Sequence, residues 1–234
     1  MLVVQEALEI WSRVSRCQTA KSLSKLELLM SPDQDLEIEL DFTRVRHSAE
    51  RVRTMLVELR RRFDMTPFEF CKKVRIAPTE VPHSHPRITL NTWVRDDLGL
   101  LSTYLHEQLH WYVTWFSHAH NARWVEILNR LRQRYRTVPV CGTDGARDEY
   151  STYLHLVVNW LEIDAMARFF DRGQVERYVR ALPFYRWIYE TVVKDDHDLR
   201  NLYEEHGLSP VRSAAEMSAA DLDLAARTEE KPAT

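Results

Sequence analysis

The sequence predicts an α+β fold that is mostly helical, and three observations carry that expectation. Glycine and proline are scarce, five and nine in 234 residues, whereas a sheet-dominated chain of this length needs many more turn residues. From residue 98 onward apolar residues recur at helical intervals in almost every segment. Only three short stretches, all before residue 98, have β character, enough for one small sheet. With 44% hydrophobic and 29% charged residues, the chain can bury a sizeable core.

The elements follow in order. Residues 3–16 and 20–30 have helical spacing and end at Ser31, Pro32, Asp33 and Gln34, so residues 1–34 are expected to form a helical N-terminal extension. Residues 36–42 alternate strictly, which puts Leu36, Ile38, Leu40 and Phe42 on one buried face of a strand. Residues 45–63 read as an amphipathic helix through Val45, Val52, Leu56, Leu59 and Phe63. Two further strands are expected at 68–76 and 87–93, joined by a proline-bearing connection. Helices are then expected at 98–117, 121–136, 147–171, 174–193 and 196–206, with a turn-rich loop at 139–145. The main domain spans 35–210. Residues 211–234 are set apart as a flexible C-terminal tail, in which 213–234, rich in Ala, Glu and Asp, is expected to be a helix that frays into disorder.

Composition excludes several function classes. A net charge of −3 gives no strong nucleic-acid or anionic-membrane signal, and the run Arg60, Arg61, Arg62 reads as a solvated helix face without interleaved aromatics. Cys17, Cys71 and Cys141 are odd in number and scattered, which favours a reducing compartment over a disulfide framework. No apolar run reaches the roughly 20 residues of a membrane helix. The first thirty residues lack the basic start and unbroken apolar stretch of a signal peptide. A cytoplasmic protein with no membrane partner is expected.

The residues that carry chemistry lie at 103–112, where Thr103, Tyr104, Leu105, His106, Glu107, Gln108, Leu109, His110, Trp111 and Tyr112 contain an HExxH pattern in a helical segment. Residues four apart on a helix lie one above the other, so both imidazoles can reach a single cation. Glu107 sits about 100° around the helix from His106, where its carboxylate can take a proton from water at the metal without occupying it. The flanks Leu105, Gln108, Leu109, Trp111 and Tyr112 are uncharged, as suits a helix buried beneath a cleft.

With these residues the chain resembles the zincin superfamily of zinc metallopeptidases. Its longer signature has Val or Thr three residues before the first histidine and an apolar residue two after the second, positions filled here by Thr103 and Tyr112. The metzincin extension is excluded, because Val113 and Phe116 stand where Gly and His are required, and the gluzincin Asn-Glu-x-x-x-Asp pattern is absent. A minimal SprT-like protein is the nearest picture. The resemblance covers the motif helix and, more loosely, the strands before it.

A catalytic zinc takes a third protein ligand and keeps a fourth position open. The helix at 147–171 offers Glu149, His155, Asn159 and Glu162, with His155 and Glu162 seven apart on one face. His155 is the expected third ligand, since an imidazole among Tyr153, Leu154, Leu156, Val157 and Val158 is a neutral donor that can be buried. The competing role is that of a core histidine bonded to a backbone carbonyl. Glu162 is then the acceptor that orients an imidazole, or the alternative third ligand if His155 points away. Glu149 is a weaker choice. His118 and His120 sit near a helix end and read as capping or exposed residues, while His83 and His85 read as loop residues. Tyr185, Tyr189 and His197 are candidates for stabilising an oxyanion.

The resemblance implies a Zn2+ cofactor, a peptide or protein substrate, and hydrolysis of peptide bonds by a metal-activated water with Glu107 as general base. It also implies that strand 87–93 is a sheet edge able to pair with an extended substrate. Manganese, iron or cobalt fit the same ligands, and zinc is preferred because nitrogen donors in a four-coordinate site suit it. The alternative is a zincin-like regulatory or partner-binding protein whose metal is structural or lost.

Overall fold

Strand β1 (Glu37–Leu40) alternates as expected, with Glu37 and Glu39 exposed and Ile38 and Leu40 packed toward the core. The computed structural model describes residues 35–41 and 46–227, so the expectations for residues 1–34, with Cys17, and for Phe42 lie outside the described residues. Helix α1 (Arg46–Arg62) leads to β2 (Lys73–Ile76), which pairs parallel with β1 and sets Ile38 opposite Val74. Strand β3 (Ile88–Leu90) pairs parallel with β2, giving the order β1-β2-β3 and placing Ile76 opposite Leu90. Among the described residues the remaining helices are α2 (Asp97–Ala119), α3 (Asn121–Arg134), α4 (Glu149–Met166), α5 (Arg172–Arg180), α6 (Arg186–Lys194), α7 (Asp196–Glu205) and α8 (Ala219–Ala225). The fold is thus mostly helical with a small three-stranded sheet.

The core centres on α2 and α4, the most closely packed pair of helices. Both are buried over nearly their whole length, as helices enclosed by others must be. Each begins on an aspartate cap: Asp96 accepts from the Gly99 amide at 2.8 Å and Asp148 from the Ser151 amide at 2.8 Å. No helix among the described residues is long and apolar enough to cross a membrane.

Four expectations need correction, each because a tertiary partner overrides a local pattern. The strand expected at 68–76 starts only at Lys73, after a 3-10 turn at Thr66–Phe68. The Gln108 side chain clamps the intervening backbone, accepting from the Cys71 amide at 2.9 Å and donating to the Cys71 carbonyl at 2.8 Å. The helix expected at 174–193 is two helices, broken at Pro183, whose missing amide hydrogen and bulk against the preceding residue end a helix. The helix expected in the C-terminal stretch forms as α8, but residues 211–227 pack on the fold and do not trail from it as a flexible tail. The compact unit that begins at Leu36 does not stop at residue 210, and α8 packs on α2, with Trp115 Nε1 donating to Asp221 at 2.8 Å and His85 Nε2 donating to the Ala225 carbonyl at 2.9 Å. Residues 228–234 lie outside the described residues.

The fourth correction concerns the arginine run. Arg61 and Arg62 are exposed, but Arg60 is buried and grips the buried Glu69 through Nε at 2.7 Å and Nη2 at 2.9 Å. Tyr104 of α2 adds a hydroxyl bond to Glu69 at 3.1 Å, so this ion pair ties α1 to α2. Breaking a buried pair leaves an uncompensated charge. Glu69→Ala is therefore expected to cost about 3–5 kcal/mol in chemical denaturation, and the Arg60→Met/Glu69→Leu double substitution less than the single one.

Candidate metal centre

Helix α2 presents Ser102, His106 and His110 one turn apart, and α4 runs past them carrying His155 and Glu162. Ser102 and His106 both bond Glu162, while His110 meets His155 nearer the other end of α2, so the two helices are antiparallel here. The rings of His106, His110 and His155 form a nearly equilateral triangle, with centroids 5.0, 5.5 and 5.1 Å apart. Their ligand nitrogens all lie within 4.8 Å of one another, so the three histidines cluster and could bind a metal ion.

The outer contacts of two of these rings fix which nitrogen is available. His155 Nδ1 lies 2.6 Å from the Ser151 carbonyl, which can only accept, so Nδ1 carries the proton and Nε2 of the neutral ring keeps its lone pair. Both roles considered for His155 are thus combined in one ring, with one nitrogen held by a carbonyl and the other left for the cluster. His106 Nδ1 donates to Glu162 at 3.0 Å, so in the neutral ring its Nε2 likewise keeps its lone pair. That Nε2 faces His110 Nε2 at 3.3 Å. Two nitrogens bound at about 2.05 Å to one tetrahedral ion are separated by about 3.3 Å, so this pair already has the spacing of a shared cation.

Glu162 is fully buried and accepts three bonds, from Ser102 Oγ at 2.6 Å, Tyr189 OH at 2.9 Å and His106 Nδ1. Burial pushes its carboxyl up to about 7, while the hydrogen bonds from Ser102 and Tyr189 pull the other way. Burial and the nearby Glu162 carboxylate hold the Tyr189 pKa well above the usual phenol value, so its hydroxyl stays a donor. Glu162 therefore occupies the orienting position behind His106. Tyr189, expected beside an oxyanion, supports Glu162 instead.

A cavity of about 910 Å³ adjoins the cluster, with His106, Glu107 and Tyr185 in its wall. Glu107 is 6% exposed and lines this space. Tyr185 stands at a left-handed φ of 54° as the first turn of α6 begins, and its ring lies 4.6 Å from that of His155 and 6.1 Å from that of His106. A non-glycine residue in that region is strained, and such positions concentrate at functional sites. The loop 139–145 closes one side, where any side chain at Gly145 would collide with the Pro139 carbonyl.

Other candidates fall elsewhere. Glu149 is exposed at the start of α4 and outside the cluster. His197 is exposed and pairs with Asn201 and Asp198. His120 packs its ring on Trp115 and Phe116 at the junction of α2 and α3, and His118 lies in the last turn of α2. His85 stacks on Trp111 at 4.5 Å, away from the metal cluster. The edge expected to receive substrate is occupied at its centre: Thr89 of β3 exchanges both backbone bonds with His83, at 2.8 and 3.2 Å. Sequence reasoning missed Ser102, although its place four residues before His106, on the same helix face, was a usable signal.

No protein-family model, no curated protein and no solved structure matches the chain. The functional reading therefore stands on the motif and the geometry around it.

Proposed function

We propose that the chain is a zinc-dependent metallopeptidase of the zincin type, with His106, His110 and His155 holding the metal and Glu107 acting as general base. The observation that carries this reading is the convergence of three histidine nitrogens beside a carboxylate that faces an open cavity. Three neutral imidazoles are a donor set that suits zinc and leaves a fourth position for chemistry. Bound zinc supplies Lewis acidity, polarising a carbonyl and making water acidic enough to lose a proton near pH 7.

The chain's own residues do the rest. Glu107 takes the proton of the attacking water and returns it to the leaving amide nitrogen. Glu162, locked by Ser102 and Tyr189, fixes the His106 ring and keeps its Nδ1 protonated. Tyr185, beside the His155 ring and in the cavity wall, is placed to donate a hydrogen bond to the carbonyl oxygen as negative charge develops there.

The direct test is metal dependence. The purified protein is expected to hold about one zinc per chain and to cleave an unfolded protein substrate. Activity should vanish with a zinc chelator and return on adding zinc. A protein that binds zinc but cleaves no peptide bond under any metal supply would remove the peptidase reading.

A further inference from the structure

Four large hydrophobic residues are exposed among the described residues: Val81 at 70%, Trp93 at 64%, Val140 at 53% and Phe184 at 48%. They come from four separate loops, yet all gather at one place. Val81, Trp93 and Phe184 line the cavity beside the histidine cluster, and Val140 adjoins Cys141, which lines it too. Isolated exposed apolar residues are ordinary, but their confinement to the mouth of one cavity marks a binding surface. Phe184 also packs edge-on against Tyr185 at 5.7 Å, so the apolar rim is continuous with the ring that touches His155.

The same mouth carries two cations. Arg95 is exposed and has no ion-pair partner among the described residues, and the Arg147 side chain is 82% exposed, its ion pair being with its own neighbour Asp148 at 3.5 Å. Asp96, next to Arg95 in the cavity wall, turns its Oδ1 to the Gly99 amide as the cap of α2. A partner that covers this rim is therefore favoured if it brings bulky apolar groups together with a negative charge.

Depth and backbone pairing narrow the partner further. Glu107 is 6% exposed and Trp93 64% exposed in the wall of the same cavity, so a flexible chain can reach both, whereas a folded surface meets the outer one. Strand addition to β3 is blocked at Thr89 by His83, and the Trp93 amide already donates to Asn91 Oδ1 at 3.0 Å. At these two points recognition falls to side chains.

We infer that the cavity mouth selects an unfolded polypeptide segment with a bulky apolar side chain next to an acidic one, seated on Trp93 and Phe184 with Arg95 and Arg147 facing the acid. This rests on the peptidase reading for its choice of a peptide. The test separates binding from cleavage. Short fluorescent peptides are bound to the full-length Glu107→Gln protein with zinc added, followed by anisotropy. One peptide carries Phe-Asp at its centre, a second Ser-Asp and a third Phe-Lys.

Phe-Asp is expected to bind about tenfold tighter than Ser-Asp, because one large apolar side chain leaves water. Adding Trp93→Ser and Phe184→Ser, both at exposed positions, should erase that preference. The advantage of Phe-Asp over Phe-Lys should shrink with salt and with Arg95→Gln and Arg147→Gln. Equal binding of Phe-Asp and Ser-Asp, or a preference that survives the double serine substitution, would overturn the inference. The wild type is assayed for cleavage of the same peptides. Preferential binding without cleavage sinks the peptidase reading and keeps the docking surface; cleavage indifferent to Phe and Ser does the reverse.

Discussion

Purified His155→Ala protein is expected to lose its metal at concentrations where the wild type and Glu162→Gln proteins keep theirs. A structural zinc held by four ligands is worth roughly 10–16 kcal/mol, so one ligand carries roughly 3 kcal/mol and its removal weakens binding about a hundredfold. His155 Nδ1 is tied to the Ser151 carbonyl and its ring sits 5.5 and 5.1 Å from the other two, so alanine there takes one nitrogen out of the cluster. Glu162 lies outside the cluster and bonds the far nitrogen of His106. Its replacement by Gln keeps an oxygen that can accept from His106 Nδ1, so the loss is expected at the low end, about tenfold, of the range that such partners are worth in metal affinity. The two effects separate in a metal titration against a competing chelator, with metal content per chain as the first readout. Metal retained in His155→Ala and lost in Glu162→Gln would make the carboxylate the third ligand and return His155 to the role of a core histidine.

Ser102→Ala should resemble a mild Glu162 substitution. It removes one of three donors to the carboxylate and leaves every nitrogen of the cluster in place. A several-fold loss of metal affinity without loss of fold is expected, read in the same titration.

How much of this was legible beforehand depends on the range of the interactions involved. The HExxH spacing is local, and a helix alone brings His106 and His110 together. The seven-residue spacing of His155 and Glu162 is also local and puts both on one face of α4. What the sequence does not contain is the antiparallel docking of α4 on α2, which sends Glu162 behind His106 and His155 toward His110. The residues misread are those whose fate is decided by a distant partner. Arg60 looked like part of a solvated run until Glu69 is seen to bury it, and residues 69–72 had strand character that the Gln108 clamp overrides. Residues 211–227 have a tail-like composition, yet Trp115 and His85 supply the bonds that dock α8. The apolar rim was the least legible feature, because Trp93 and Phe184 meet only once the chain between them has folded.

The substitution that decides whether the metal does chemistry is Glu107→Gln. The amide keeps the size of the side chain and cannot accept a proton, so kcat is expected to fall by about 10²–10⁴-fold while the zinc per chain stays that of the wild type. A metal kept only for structure, or for a regulatory partner, needs His106, His110 and His155 and has no use for a carboxylate lining the cavity. Activity that survives Glu107→Gln would remove Glu107 from the mechanism, however well the metal is held. Zinc binding unchanged in both proteins, with turnover in neither, would instead identify the histidine cluster as the centre of a binding protein that has the zincin motif without its reaction.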